Sequence, residues 1–269
     1  MSDNSKVILI TGASNGIGKT SAEYLTKQGH IVFGTSRYPG SYPEPNDYTM
    51  LQMDVTDIES TQTAINQIID KEGRIDVLIN NAGFGIAGAM ENISIGKAKE
   101  QFDTNFFGTV RLIKSVLPIM HKQDFGLIIN ISSIGGLIGL PYQSMYSASK
   151  FAIEGLTESL YKELHSTKIN VAMVEPGDFK TNFTEKREIS KNANQSDAFQ
   201  NTLKIIENDE KSGKNPIMIG KLLNKIINKT NPRLRYTVGA FDQKLASFLK
   251  RILPNRLFDW IIMKHYKVN

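Results

Sequence analysis

Val7-Ile8-Leu9-Ile10-Thr11-Gly12-Ala13-Ser14-Asn15-Gly16-Ile17-Gly18 is the stretch that decides the fold. Four apolar residues read as a buried strand. Gly12, Gly16 and Gly18 follow at its end and open a helical pattern, Lys19 to Gln28, that stops at Gly29. Such a strand–turn–helix lets backbone approach a pyrophosphate and offers it the unpaired N–H groups of a helix start. The competing reading is a tight turn with close helix–strand packing, so the rest of the chain must decide.

Outward from that turn, strand and helix patterns alternate. Ile31–Ser36, Met50–Met53, Ile75–Asn80, Gly126–Ser132 and Ile169–Val174 read as strands, several of them near-continuously apolar. Asp57 to Lys71, Lys97 to Lys122 and Met145 to His165 read as helices, and Pro39, Gly40, Pro43 and Pro45 mark a loop. This alternation predicts an α/β class: one Rossmann-type domain, a doubly wound parallel sheet with helices on both faces. After Thr181 it fades. Glu185 to Ala198 is polar and reads as mobile, Phe199 to Lys211 as helical, and the tail holds further helical patterns. The expected layout is a core over residues 1–182, then a substrate loop and a basic helical C-terminal extension over 183–269.

Composition narrows the chemistry. The chain has 269 residues and no cysteine, which excludes disulfides and thiolate metal sites, and its four histidines form no H-x-x-x-H pair, so no metal is expected. No secretory signal is visible at the N-terminus, and no apolar run reaches the roughly 18 residues of a bilayer span, so the expected location is cytoplasmic. Net charge is +5, but residues 1–209 carry −5 and residues 210–269 carry +10. No nucleic-acid reader motif accompanies that charge, so nucleic acid is not an expected partner.

Chemistry concentrates in a few places. Tyr146 and Lys150 stand four apart on one helix face. A phenol titrates near ~10, too high for neutral acid/base work, and a nearby ammonium should lower it. Ser133, on another element, would hold a substrate oxygen beside the phenol. Arg37 ends the second strand where no Asp or Glu lies between Val32 and Ser41, which favours the 2′-phosphate of NADP over NAD. Asp54-Val55 ends the third strand, with Asp54 either accepting from an adenine amino group or capping a helix. Asn80-Asn81-Ala82-Gly83 ends the fourth, where Asn81 would join strands and Gly83 would admit the cofactor. Asn105, an asparagine inside a long helix, suggests a kink holding a water beside Lys150, or a plain core amide.

This set resembles the short-chain dehydrogenase/reductase superfamily. The matching residues are Thr11 to Gly18, Asp54-Val55, Asn80 to Gly83, Asn105, Ser132-Ser133, Tyr146-x-x-x-Lys150 and Pro176-Gly177-x-x-x-Thr181. They follow the family's order and spacing over roughly residues 6–182. The resemblance implies that Ser133 orients the substrate oxygen, Tyr146 is the acid/base, Lys150 binds the nicotinamide ribose and lowers the phenol pKa, and Asn105 supports a relay water. It also implies a cofactor cradle of Gly12, Ser14, Asn15, Gly16, Ile17, Gly18, Arg37, Asp54, Val55, Asn81, Ala82 and Gly83, with Tyr146, Lys150, Pro176, Gly177 and Thr181 by the nicotinamide. Asn15 stands where some NADP-using relatives carry a basic residue, so NADP rests on Arg37.

The expected activity is NADP(H)-dependent interconversion of an alcohol with a ketone or aldehyde. Gly135 to Pro141 and Leu234 to Gly239 look like the 17β-hydroxysteroid dehydrogenase-like group, pointing to a steroid-, retinoid- or other lipid-like substrate. The alternatives are a 3-oxoacyl thioester reductase and a non-catalytic dinucleotide-binding regulator. Pocket-shaping residues are expected in Ile86–Ser94, Gly135–Ser144 and Thr184–Gly220. Similar proteins pair through the helix bearing Phe151, Leu156, Leu160 and Leu164, so a homodimer or homotetramer is expected. In the tail, Leu245, Phe248, Leu249, Ile252 and Leu253 make an amphipathic stripe broken by Pro254, and a second apolar segment runs from Leu257 to Met263, with lysines and arginines around both. Two helices packed on the substrate loop, a peripheral membrane contact or a subunit contact would each explain it.

Overall fold

Seven parallel strands form the central sheet of the computed structural model, which describes residues 5–41, 47–183, 187–190 and 196–268. In chain order the strands are β1 (Val7–Ile10), β2 (Ile31–Ser36), β3 (Thr49–Gln52), β4 (Val77–Asn80), β5 (Ile86–Ala87), β6 (Gly126–Ile131), β7 (Ile169–Pro176), β8 (Glu188–Ile189) and β9 (Arg235–Val238). The sheet order is β3-β2-β1-β4-β6-β7-β9, while β5 and β8 pair separately. The helices are α1 (Gly16–Lys27), α2 (Ile58–Glu72), α3 (Ile95–Phe102), α4 (Gly108–Gln123), α5 (Ser144–Glu163), α6 (Asp197–Lys211), α7 (Ile217–Ile227), α8 (Phe241–Ile252) and α9 (Asn255–Tyr266).

The period-2 alternation of a strand explains the two layers of core. Val7 and Leu9 of β1 face one cluster with Ile65 and Ile68 of α2, Leu112 and Val116 of α4, and Leu160 of α5. Ile8 and Ile10 face the opposite cluster with Ala22 and Leu25 of α1 and Leu223 and Ile226 of α7. Strands buried on both faces must be apolar throughout, as the sequence has them. The order of strands reverses between β1 and β4, so the carboxyl ends of the strands there open a crevice, the usual ligand position in such sheets.

Four expectations are corrected. The single helix Lys97 to Lys122 is two helices joined by a wide π turn, Asp103–Phe107, because Asn105 draws its side chain into bonds off the helix. The extension is not purely helical: β9 completes the sheet beside β7, and Arg235 anchors it through Glu175 at 2.6 Å and through Glu154 and Glu158 of α5. Within Glu185 to Ala198, Arg187 is buried against Glu210 and β8 pairs with β5, so this part is built into the fold; residues 184–186 and 191–195 lie outside the described residues, as do Pro43 and Pro45. Finally, Leu160 and Leu164, expected at a subunit contact, are buried in the chain's own core, with Leu156 packed on them, and Phe151 alone of the four is exposed.

Candidate active site

Thr11 ties the floor of the crevice together. Its hydroxyl accepts from the N–H groups of Asn81 and Ala82, each at 2.9 Å, while Asn81 Nδ2 donates to the carbonyls of Thr11 and Gly12. This joins the ends of β1 and β4, as expected of Asn81. Gly12 takes a φ of +67°, and a Cβ there would lie 2.9 Å from Ala82 Cα, so only glycine allows the close approach. Asn15 caps no N–H at the start of α1, and the first turn carries no acidic residue. Those unpaired donors face the crevice and fit an anionic pyrophosphate.

The resulting cavity has a volume of ≈ 570 Å³. It gathers Gly12, Ser14, Asn15, Gly16 and Ile17 from the glycine turn, Arg37 from the end of β2, Asp54 and Val55 after β3, and Asn81, Ala82 and Gly83 after β4. Ser133, Tyr146, Lys150, Pro176, Gly177 and Thr181 form its other end, where Thr181 lies against Gly16. Two expected residues do not line it. Gly18 is a packing glycine whose Cβ would clash with the Gly12 carbonyl, and Asn105 sits behind the wall. Asp54 divides its role, lining the cavity while its Oδ1 accepts from Thr56 N–H and hydroxyl. The cap of α2 is Asp57 instead.

Tyr146 and Lys150 lie one turn apart at the start of α5. Ser133, at the extended backbone after β6, hydrogen-bonds the Tyr146 phenol and accepts from Gly135 N–H at 3.0 Å. Lys150 donates to the Ile131 carbonyl at 2.9 Å and sits 5.9 Å from the Tyr146 ring centre. The expected lowering of the phenol pKa is reversed here. Burial pushes Tyr146 up to about 12, with the Ser133 hydrogen bond only partly opposing it. Burial likewise drives Lys150 down to about 8, against the pull of Glu154. At this distance the ammonium does not overcome the desolvation of the phenolate.

Asn105 clamps α5 from behind. Its Oδ1 accepts from Phe84 N–H, and its Nδ2 donates to the Phe84 carbonyl and to Ser149 Oγ, all at 3.0 Å. Ser149 in turn donates to the Tyr146 carbonyl at 2.7 Å. The helical asparagine therefore positions the backbone that carries the tyrosine.

Sequence reasoning missed part of the lining. Ile86–Ser94 contributes nothing to it, whereas Leu140 and Gln143, and Ile206, Asp209 and Glu210 of α6, come from two of the expected segments. Asp178 and Tyr266 were not foreseen. Asp178 is pushed up to about 7 by burial and by the neighbouring Glu210 and Asp209 carboxylates. It follows Pro176-Gly177 directly, a position from which a side chain could have been placed in the crevice. Tyr266 had no such signal, because only the folding back of α9 onto α6, through Thr202 to the Tyr266 carbonyl, brings it in.

A glycine turn at a helix start, a crevice at the strand reversal and a Ser-Tyr-Lys group at its end define an oxidoreductase built to bind a nicotinamide dinucleotide. The chain belongs to the short-chain dehydrogenase/reductase superfamily: the short chain dehydrogenase model matches residues 6–192. It is 47% identical over 267 residues, 98% of each chain, to the 3-ketodihydrosphingosine reductase of Bacteroides thetaiotaomicron. It is 39% identical over 198 residues to retinol dehydrogenase 8 of Bos taurus, covering 69% of this chain and 63% of that one. A short-chain dehydrogenase from Streptomyces avermitilis superposes with a TM-score of 0.80 at 30% identity, covering 98% of both chains. The chain is thus an NAD(P)-dependent oxidoreductase, and two of its relatives are named for lipid-like substrates.

Proposed function

We propose that this chain reduces the ketone of a long-chain amino ketone, 3-ketodihydrosphingosine or a near analogue, with NADPH. The observation that carries the reading is the cavity itself, which joins the glycine turn to Ser133, Tyr146 and Lys150 and lines the space near the phenol with the carboxylates Asp178, Asp209 and Glu210. The cofactor would supply the hydride. Ser133 holds the carbonyl oxygen, and Tyr146, kept protonated by its burial, gives it a proton as the alkoxide forms. Lys150 would bind the nicotinamide ribose. Asn105 keeps one free Oδ1 lone pair for a relay water behind Lys150.

The preference for NADP rests on Arg37, exposed at the cavity rim, with no Asp or Glu between Val32 and Ser41. A substrate amino group beside the ketone would meet Asp178 and Asp209 favourably, Glu210 being already paired with Arg187, and Phe84 and Phe183 offer apolar surface in the cavity, Phe183 against Tyr146. The same acidic wall weighs against a 3-oxoacyl thioester, whose carrier is anionic. The intact Ser-Tyr-Lys group weighs against a non-catalytic regulator.

Incubation of the purified chain with 3-ketodihydrosphingosine should consume NADPH at a kcat/KM well above that for NADH. Arg37→Ala should bring the two cofactors together, by about tenfold or more if a charge-assisted phosphate contact is lost. N-acylation of the substrate, which removes its cation, should lower kcat/KM. Absence of NADPH oxidation with the ketone, alongside turnover of a 3-oxoacyl thioester, would overturn the reading.

A further inference from the structure

The C-terminal helix pair has two faces. Inward, Phe258 of α9 is fully buried against Ile134 and Ile138, next to Ser133, with Leu249 and Leu253 packed around them. Gln243 of α8 accepts from Asp178 N–H at 3.1 Å, and Tyr266 at the end of α9 lines the catalytic cavity. Outward, α8 leaves a complete apolar stripe in water: Phe241 (77% exposed), Leu245, Phe248 (58%) and Ile252, spaced i, i+4, i+7 and i+11. On α9, Leu257, Trp260 (51%), Ile261 and Met263 are exposed as well. Soluble surfaces rarely leave so many large apolar side chains together.

Charge identifies the occupant. Residues 241–268 contain six basic and two acidic residues, a net charge of +4. The Lys264 ammonium lies over the exposed Trp260 ring at 5.1 Å. An isologous contact with a second copy would set this positive segment against itself. An anionic bilayer surface satisfies both features at once, burying the stripe among acyl chains and drawing the lysines to headgroups.

We propose that α8 and α9 seat the protein on an anionic lipid bilayer, so that a long-chain substrate passes from the membrane to the cavity beneath the same two helices. This rests on the lipid-substrate reading above. A helix pair that borders the cavity at Tyr266 and meets lipid with its other face shortens the path of a substrate that partitions into the bilayer.

Full-length protein should co-sediment with phosphatidylcholine vesicles containing phosphatidylglycerol, bind pure phosphatidylcholine less, and lose binding as salt rises. The double variant Phe248→Glu, Trp260→Glu should lose vesicle binding and at least tenfold of its turnover of vesicle-borne long-chain ketone. Its turnover of a water-soluble short-chain ketone should be unchanged, which also shows that it folds. Wild-type protein that ignores anionic vesicles, or a variant that binds them equally, overturns the proposal. So does a variant that dissociates an oligomer while its vesicle binding persists. If neither ketone is turned over while vesicle binding holds, the substrate reading fails and the membrane seat stands.

Discussion

In the mechanism we propose, Tyr146 and Lys150 divide the work of one proton between a group that burial holds protonated and a group that burial makes easy to discharge. With the phenol near 12, Tyr146 is a competent acid at any neutral pH, whereas Lys150, near 8, loses its charge as pH rises through that value. Because the folded pKa of Lys150 is lowered, its ammonium is complete below about 8 and fades above it. For reduction of a ketone that carries no amino group, and so makes no demand on the Asp178 carboxylate, kcat/KM should therefore be flat between about pH 6 and 7 and fall about tenfold per unit well above 8. Lys150→Arg, which cannot lose its charge, should remove that alkaline limb at reduced overall rate. An identical limb in the variant would show that another group is titrating. The residue types and spacing of this pair were readable directly. The sign of the phenol shift was not, because it depends on how deeply the cavity buries the ring, and no spacing encodes that.

At the scale of elements, the π turn Asp103–Phe107 lets a helix turn Asn105 toward its neighbours. It places one amide against both backbone groups of Phe84 and against Ser149, tying the strand-end loop after β4 to the helix that carries Tyr146. Asn105 is 1% exposed, so Asn105→Ala would strand the Phe84 N–H without water, whereas the Phe84 carbonyl keeps Gln101 Nε2 as a donor and Ser149 keeps the Tyr146 carbonyl. The expected loss is about 2 kcal/mol of unfolding free energy in urea, at ~1–3 kcal/mol for one buried group left unpaired. A loss below about 1 kcal/mol would mean that the clamp is replaced by rearrangement. The sequence pointed to a kink here because asparagine is a poor helix former, yet the apolar spacing runs on through the turn, so the split into two helices was hidden. The strand β9 was hidden for a related reason. Arg235, Tyr236, Thr237 and Val238 are all only partly buried, so they show neither a clean alternation nor an apolar run, and Arg235 belongs there only because three carboxylates from α5 and β7 receive it.

Across the whole molecule, the parallel sheet, its two covering layers and the cofactor crevice follow from local patterns that agree with one another. Glycine turn, strand-end amides and catalytic helix each predict the same alternating fold. The substrate side depends on segments far apart in the chain, Asp178, α6 and the end of α9, which meet only because the extension folds back across the crevice. That is why the reaction could be read from the sequence and the acidic wall could not. The account turns on Tyr146 as the proton donor in a cavity otherwise complete. The most direct measurement is single-turnover reduction of the long-chain ketone by Tyr146→Phe, with NADPH affinity measured in parallel by fluorescence titration. Cofactor affinity should be retained within a few-fold, and the rate should fall at least ~10²-fold, the usual scale of a lost general acid. A variant that binds NADPH normally and reduces the ketone at the wild-type rate would contradict the account.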